Sequence, residues 1–479
     1  MNNINFNMLT KNQTLFAVFL LCIITRLLSS IFYIEDIDSL RFALSIYEYD
    51  ITKLQPHFPG YPIFSFFVKI IYFLTGSLGI SFSFIGGLSV YYIIHYALKI
   101  LDLKPNSQEG YFIIFLILLN PLIWLMSNRY MPDMMGLAIV TSSLYFLINK
   151  KNHLFKTCIG FFLFGVLAGV RLSYLPLLFM PIGYHLIFKK EKLLLLLIFL
   201  SGSLLWLIPM VFITGFNELW VIALSHTSGH FNDYGGTIYT EKNWSARLIS
   251  FFRSIWADGL GGYWNHRSWI TGIISLYLIY YFKYVFSNFR KIFKEHKVIL
   301  LSTIVYIAWV LLFQNVIHKS RHILPVIVIL ILMLSVGQTF VQLKFRNIKK
   351  YIHISFFSFL LTVSFVLVLQ HKKPSAVSQL KNYFIKKEAP VTIITIPLIN
   401  FYLRAAGLKT NFINVEDQKE VEQFIELNLN KKSYMIGDFN NLFNHKYEIN
   451  LDTTFYHNPY VNRMWSKLDI FSLERDFIK

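Results

Sequence analysis

The sequence predicts an all-α polytopic membrane protein of about 11 transmembrane helices, followed by a small C-terminal α/β domain. Three observations support this prediction. Hydrophobic residues make up 55% of the 479 residues and charged residues only 15%, whereas soluble proteins carry about 25% charged residues. The apolar residues form long continuous runs, which favours helices over a β-barrel. Strand-like and helix-like patterns alternate only after residue 390.

The apolar runs predict the membrane spans. Some are shorter than the roughly 20 residues that a full crossing needs. The run between Tyr61 and Gly79 is shorter still and contains Lys69, so we interpret it as an interfacial helix on the outer surface. The predicted spans lie near 14–33, 80–98, 111–126, 134–149, 157–170, 174–188, 193–213, 269–282, 298–313, 323–342 and 351–370.

The loops between these spans differ in charge from one side of the membrane to the other. One alternate set holds 18 Lys and Arg against 4 Asp and Glu, while the opposite set holds ten of each. Basic loops stay in the cytoplasm, so the N-terminus is predicted to be cytoplasmic and the C-terminal domain extracytoplasmic. This topology explains the net charge of +19, and no nucleic acid partner is needed. The basic loops are the N-terminal segment, 99–109, 150–156, 189–192, 283–297 and 343–350.

The domain boundary is predicted at residue 370. Residues 1–370 form the transmembrane domain, with long outer loops at 34–61 and 214–268, and residues 371–479 form the extracytoplasmic domain. In that domain VTIITI, KTNFINV and SYMIGDF read as strands, while PLINFYLRAAG and EDQKEVEQFIELNLN read as helices. Both cysteines, Cys22 and Cys158, fall within spans, which argues against a disulfide framework.

Three carboxylates lie just past the first span, in the first outer loop. They are Glu35, Asp36 and Asp38, followed by the amphipathic stretch SLRFALSIYEYD and the proline-rich PHFPGYP. The plain interpretation is the solvated start of a helix, because Asp38 and Ser39 are suitable N-cap residues. The functional interpretation is a group of catalytic carboxylates on the outer face.

Further charged residues lie at predicted outer helix ends. Asp133 follows Pro132 in NRYMPDMMG, Arg171 ends a span in GVRLSYLP, and Lys319 and Arg321 begin one in HKSRHILP. Each has an ordinary explanation: Asp133 suits an N-cap, and basic side chains at a membrane border snorkel to water. Two acidic sites on one membrane face are nevertheless harder to attribute to capping alone.

The fourth outer loop contains two histidines four residues apart. His226 and His230 in HTSGHFNDYGGT would share a helix face as metal ligands, but Gly229 and the glycines that follow predict a flexible loop instead. Glycine with Trp, Tyr, Asn and His suits a sugar pocket, and His57 in the proline-rich motif is a further pocket candidate.

The order and sidedness of these motifs resemble GT-C-type membrane glycosyltransferases. The similar branch is family 39, which contains protein O-mannosyltransferases, lipid A aminoarabinose transferases and their bacterial relatives. In that family an acidic residue shortly before an aromatic–Ala pair is the proposed catalytic base, and Asp38 stands at that position. The family often has Asp-Glu there, whereas this chain has Asp38-Ser39, so Asp36 remains the second candidate. A second acidic residue in the family matches Asp133.

The resemblance implies transfer of a sugar from a polyprenyl-phosphate donor to an acceptor hydroxyl, with inversion, at the outer face of the bacterial inner membrane. The acceptor would be a lipid, a glycan or a protein. No cofactor is expected, and a divalent cation held by grouped carboxylates stays open. Asp38, Asp36 and Asp133 are the implied catalytic residues; the implied substrate-binding residues are Glu35, His57, Arg171, His230, Lys319, Arg321 and His322, the last replacing the family's usual Tyr.

Two other functions remain as alternatives. A flippase for lipid-linked glycans would place charges along a central path and often has paired repeats; here the charges gather at one surface and no repeat is visible. An O-antigen polymerase or ligase would use an oligosaccharide on a diphosphate, which the sequence does not distinguish from a single sugar on a monophosphate.

Overall fold

The structure is a computed structural model that describes residues 9–148, 153–341, 346–387, 391–426, 432–443 and 447–475. The chain divides into two compact units. The membrane unit contains Met1–Ile31 and Phe42–Leu369, and the tail unit contains Phe32–Arg41 and Gln370–Lys479. The division at Leu369 lies next to the predicted domain boundary, but the acidic segment Phe32–Arg41 belongs to the tail unit.

The membrane unit is helical, as its apolar runs predict. Its helices are α1 (Lys11–Leu28), α2 (Ile37–Tyr47, which begins in the tail unit), α3 (Pro62–Thr75), α4 (Leu78–Ile100), α5 (Gln108–Leu118), α6 (Pro121–Met126), α7 (Asp133–Leu147), α8 (Leu154–Arg171), α9 (Phe179–Phe188), α10 (Lys192–Thr214), α11 (Phe216–Gly229), α12 (Trp244–Arg253), α13 (Ile270–Ser287), α14 (Phe289–Phe313), α15 (Leu324–Gly337) and α16 (Arg346–His371).

Eight helical stretches in the described residues are long and apolar enough to cross a membrane. One of them runs from Leu154 to Phe188 and covers two of the predicted spans. The predicted spans near 111–126 and 134–149 contain shorter apolar helices, and residue 149 lies outside the described residues. The predicted interfacial segment forms α3, a helix of 14 residues whose Phe73 side chain is 88% exposed. Such exposed apolar side chains suit a lipid environment.

Glycines allow two of these helices to pack closely. A Cβ on Gly165 of α8 would lie 2.3 Å from the carbonyl oxygen of Phe199, and a Cβ on Gly202 of α10 would lie 2.3 Å from that of Phe162. Small residues at facing positions let membrane helices approach and pack backbone against backbone. The α8–α10 pair therefore packs closely by shape, and the indole N–H of Trp206 on α10 adds a 3.0 Å hydrogen bond to the carbonyl oxygen of Gly165.

The tail unit contains a mixed five-stranded sheet. Strands β1 (Thr392–Thr395), β2 (Asn411–Asn414) and β3 (Ser433–Ile436) are parallel, while β4 (Tyr447–Tyr456) and β5 (Lys467–Arg475) form an antiparallel hairpin, giving the order β2-β1-β3-β5-β4. The helices are α17 (Ala376–Ile385), α18 (Pro397–Ala405), α19 (Gln418–Glu426) and α20 (Asn440–Phe443).

The three strands and two helices predicted for this domain are all present. The end of the predicted helix EDQKEVEQFIELNLN, at 427–430, lies outside the described residues. Ile394, Met435 and Phe443 are fully buried between the sheet and α19. The β4–β5 hairpin was not predicted.

Candidate active site

The centre of the candidate site in the membrane unit is Asp133, whose side chain is fully buried. Its Oδ1 lies 2.9 Å from Nη2 of Arg171 and 3.9 Å from Nε of Arg321, and it accepts a hydrogen bond of 3.4 Å from the hydroxyl of Tyr174. Three segments distant in sequence thus meet at one carboxylate oxygen. A buried ion pair of this kind needs such multiple contacts to offset the desolvation of its charges.

Local sequence explains why these side chains face each other. Helix α7 begins at Asp133 itself, Pro132 is the N-cap, and no side chain caps the helix. The interpretation of Asp133 as an N-cap is therefore wrong, since its carboxylate is used by Arg171. Arg171 is the last residue of α8, where a 3-10 turn follows, and the Tyr174 ring lies in that turn, 5.6 Å from the guanidinium.

A second aromatic residue extends this cluster. Tyr306, from the middle of α14, is fully buried; its ring lies 6.2 Å from that of Tyr174, and its hydroxyl donates 2.8 Å to the carbonyl oxygen of His322. Arg321 and His322 are both buried in the short 3-10 turn Ser320–Ile323, which directly precedes α15. Neither tyrosine was among the predicted site residues, although Tyr174 lies within the quoted motif GVRLSYLP.

The predicted histidines lie in a neighbouring aromatic group of the membrane unit. The rings of His57 and His226 stack with centroids 5.5 Å apart. His57 Nε2 lies 3.2 Å from the Tyr61 hydroxyl, and His226 Nδ1 lies 3.0 Å from that of Tyr234. The predicted flexible loop is wrong here: α11 continues through a π-helical turn at 230–234.

The two histidines of that segment contact different groups. The Nε2 of His230 faces the carbonyl oxygen of Phe313 at 3.1 Å. Burial lowers the pKa of His230, and the positive charge of Lys319 lowers it further, against the opposing effect of the Phe313 carbonyl. Lys319 is thus within electrostatic range of His230. Among the described residues, no group of three or more His, Cys, Asp or Glu side chains is arranged to hold a metal ion.

The acidic segment lies in the tail unit, where all three carboxylates are buried. Glu35 Oε2 lies 3.2 Å from Nε2 of His371. Asp36 Oδ1 accepts a 2.8 Å hydrogen bond from the backbone N–H of Ser39, so Asp36 caps α2. The predicted cap at Asp38 and Ser39 is wrong, because α2 begins at Ile37 and Asp38 lies in its first turn, 3.9 Å from Arg41.

Several solved structures are similar to the chain. Two of them are ArnT from Cupriavidus metallidurans bound to undecaprenyl phosphate, with a TM-score of 0.53, and the same protein in the apo state, with 0.54; each is 12% identical over 96% of this chain and 97% of ArnT. The chain has the fold of ArnT. The resemblance to GT-C-type transferases drawn from the motifs is thereby confirmed for the fold. No family model and no curated protein matches the sequence.

The ArnT fold does not by itself assign the residues. It does cover both units, including the tail unit, at nearly full length. The cluster of the membrane unit holds guanidinium groups beside a carboxylate, a set suited to a phosphate group. The acidic segment of the tail unit holds carboxylates at a helix start, a set suited to proton abstraction.

Proposed function

We propose that the protein is a glycosyltransferase that moves a sugar from a polyprenyl-phosphate donor to an acceptor hydroxyl at the outer face of the bacterial inner membrane. The observation that carries this proposal is the ArnT fold over 96% of the chain, combined with the buried carboxylate of Asp133 between Arg171 and Arg321. One ArnT structure holds undecaprenyl phosphate, a lipid of the donor's class.

In this reaction Asp38 is the general base. It takes the proton of the acceptor hydroxyl as the oxygen attacks the anomeric carbon, and the bond between that carbon and the phosphate oxygen breaks with its electron pair moving to the phosphate. The products are the glycosylated acceptor, with inverted configuration, and polyprenyl phosphate. A positioned base typically contributes 10²–10⁴-fold to such a step. Asp36 already caps α2, which supports Asp38 over Asp36.

The cationic residues serve the leaving group. Arg171 and Arg321 hold the lipid phosphate, since a guanidinium binds phosphate oxygens through two parallel N–H donors and stabilises the charge that builds there. Asp133 orients Arg171 through their 2.9 Å contact. The remaining predicted residues, which are Glu35, His57, His230, Lys319 and His322, contribute to binding the sugar and the lipid phosphate.

The test is release of polyprenyl phosphate from defined donors. Purified wild type, Asp38→Asn and the control Asp102→Asn would be incubated with a set of polyprenyl-phosphate sugars, polyprenyl-diphosphate oligosaccharides and candidate acceptors. Asp102 is exposed and lies in a turn where Asn also fits, at φ 53°. We expect release by wild type and Asp102→Asn, and a rate lower by about 10²–10⁴-fold in Asp38→Asn.

Each of the other outcomes shows which part of the proposal is wrong. Full activity of Asp38→Asn means that the base is assigned wrongly while the transferase function stands. Release of polyprenyl diphosphate from the diphosphate-linked oligosaccharides, with no release from the monophosphate donors, indicates a polymerase or ligase. Transport of an unchanged lipid-linked glycan across proteoliposomes, with no release from any donor, replaces the transferase by a flippase.

A further inference from the structure

The acidic segment is part of the same compact unit as the C-terminal sheet. Phe32–Arg41 groups with Gln370–Lys479 and not with the helices that flank it in sequence. Among the described residues before 370, this is the one stretch that does so. The segment that carries Asp38 is therefore built into the tail unit, although more than three hundred residues separate the two in the chain.

Two side chains of the tail unit contact the acidic carboxylates directly. The Nε2 of His371 lies 3.2 Å from Glu35 Oε2, and the two side chains are 2% and 0% exposed. The Nδ2 of Asn462 donates 3.4 Å to Asp36 Oδ2. Asn462 is itself held in place, since its Oδ1 accepts 3.0 Å from the backbone N–H of Met464.

Two tyrosine hydroxyls fix the backbone that precedes these carboxylates. Tyr402 of α18 donates 2.8 Å to the carbonyl oxygen of Ile34, and Tyr33 donates 2.6 Å to the carbonyl oxygen of His371. The Tyr402 bond holds the main chain of the segment itself, and the Tyr33 bond ties a side chain of the segment to the main chain of the tail. Tyr402 is buried, so its bond to Ile34 is shielded from water.

These contacts converge on the first turn of α2. Asp36 bridges the helix start and the sheet domain: one oxygen accepts from the Ser39 backbone and the other from Asn462. Asp38 follows two residues later in the same turn. A shift of the helix start by one residue moves Asp38 with it, by about 1.5 Å along the helix axis. A misplacement of about 1 Å can lower a reaction rate 10²-fold.

We infer that the C-terminal domain is the positioning element of the catalytic segment, with His371 and Asn462 as positioning residues that fix Glu35 and Asp36 and thereby the place of Asp38. This inference rests on the proposed function, because it assumes that Asp38 is the base. It assigns the C-terminal domain a role that the sequence motifs, all of which precede residue 370, did not indicate.

The test combines kinetics with hydrogen–deuterium exchange on the full-length protein. The variants are Asn462→Ala and His371→Leu, with His371→Gln as a conservative variant that keeps a donor for Glu35. The control is Asn450→Ala, because Asn450 is exposed on β4 and its side chain bonds only locally, to Glu448. We expect kcat to fall by about 10- to 100-fold in the first two variants with donor KM unchanged.

Exchange reports on the contacts without reference to activity. Deuterium uptake at residues 32–41 should rise in Asn462→Ala and His371→Leu, while uptake in β1 and β3 stays at the wild-type level and shows that the sheet is still folded. His371→Gln should recover part of the kcat, and Asn450→Ala should match wild type in both measurements.

Three results would overturn the inference, and they are distinguishable. Unchanged uptake at 32–41 with an active wild type means that the tail residues do not hold the segment. Increased uptake with wild-type kcat means that holding it is irrelevant to catalysis. If wild type releases no polyprenyl phosphate from any donor, the proposed function fails and the catalytic role of the tail fails with it, whatever the exchange data show.

Discussion

At the scale of single residues, the cluster around Asp133 shows how a membrane helix bundle keeps charge in its interior. Arg171 and Arg321 approach the same carboxylate oxygen, and Tyr174 donates to it. Removing one member of such a buried set is strongly destabilising, by about 3–5 kcal/mol in soluble proteins. The carboxylate therefore has a structural role beside its proposed catalytic one, and both effects have to be measured.

We predict that Asp133→Asn lowers both stability and activity. The Asn amide keeps the shape but removes the charge that Arg171 and Arg321 share, so the free energy of unfolding should fall by about 3 kcal/mol and polyprenyl phosphate release by at least about 100-fold. Thermal unfolding in detergent and initial rates would be compared with Asp102→Asn. A variant with the unfolding temperature and rate of that control would remove Asp133 from the site.

A second prediction at this scale concerns His457 in the tail unit. Burial lowers its pKa, an effect that the nearby His371 increases and Glu35 opposes. The folded domain therefore binds this proton less readily than the unfolded chain, whose histidine titrates near 6.5. Stability should be insensitive to this group above that pH and should fall as the pH drops below it, by at most about 1.4 kcal/mol per pH unit.

The measurement is hydrogen exchange in β1 and β3 at pH 7.5 and pH 5.5, corrected for intrinsic rates. Wild type should lose protection at the lower pH, and His457→Gln should lose less because it has no titrating ring. Equal losses in the two proteins would assign the acid sensitivity to other groups.

At the scale of elements, the α7–α8 contact determines where Arg171 lies. A Cβ on Gly136 of α7 would stand 2.4 Å from the Cβ of Arg171 and 3.3 Å from the Tyr174 ring. Glycine is thus required at this position by close approach, although it lowers helix propensity by about 1 kcal/mol relative to alanine.

We predict that Gly136→Ala impairs the site while Gly183→Ala does not. The added methyl at 136 has to push Arg171 away from Asp133, so donor KM should rise and the unfolding temperature should drop. Gly183 lies in the middle of α9, and among the described residues no atom comes within 4 Å of the place that a Cβ would take there. Alanine at 183 should therefore be neutral or slightly stabilising. Equal behaviour of the two variants would contradict the packing argument.

Sequence patterns located the elements whose signals are local. The segments VTIITI and SYMIGDF contain the strands β1 and β3, whose β-branched and apolar residues match their burial in the sheet. The β4–β5 hairpin was missed because β4 is half exposed, with Asn, Asp and Thr among its residues, and 457–466 contains no Asn-Gly or Asp-Gly pair that would signal a two-residue hairpin turn. The loop prediction at Gly229 failed because that glycine makes room for the Tyr234 ring, 2.4 Å from a Cβ there, within a continuing helix.

The same distinction applies to the candidate site. Asp133 and Arg171 lie in motifs at helix ends and were predicted, and the structure brings them together. Tyr306, His371 and Asn462 have no local signal, since each acts on a partner distant in sequence or stands within an apolar helix. Only the folded chain could reveal them.

At the scale of the whole molecule, the orientation of the protein in the membrane is predicted from the charges of its loops. The loop that contains Lys190 belongs to the basic set, which the charge bias predicts to lie in the cytoplasm. The proposed reaction requires the tail unit to lie on the opposite side of the membrane, outside the cytoplasm. Nucleotide sugars are absent on that side, so the reaction there needs a lipid-linked donor. The predicted orientation and the proposed function therefore depend on each other, and evidence against the orientation would also be evidence against the function.

We predict that Lys409→Cys is labelled by a membrane-impermeant maleimide on intact cells, whereas Lys190→Cys is labelled only after permeabilisation. Both lysines are exposed, so reactivity reports the side of the membrane and not burial. The background would carry Cys22→Ala and Cys158→Ser, since these two cysteines are the only ones in the chain. Labelling of Lys190→Cys alone on intact cells would reverse the topology, placing the tail unit in the cytoplasm, where nucleotide sugars are present. The requirement for a polyprenyl-phosphate donor would then lose its physical basis.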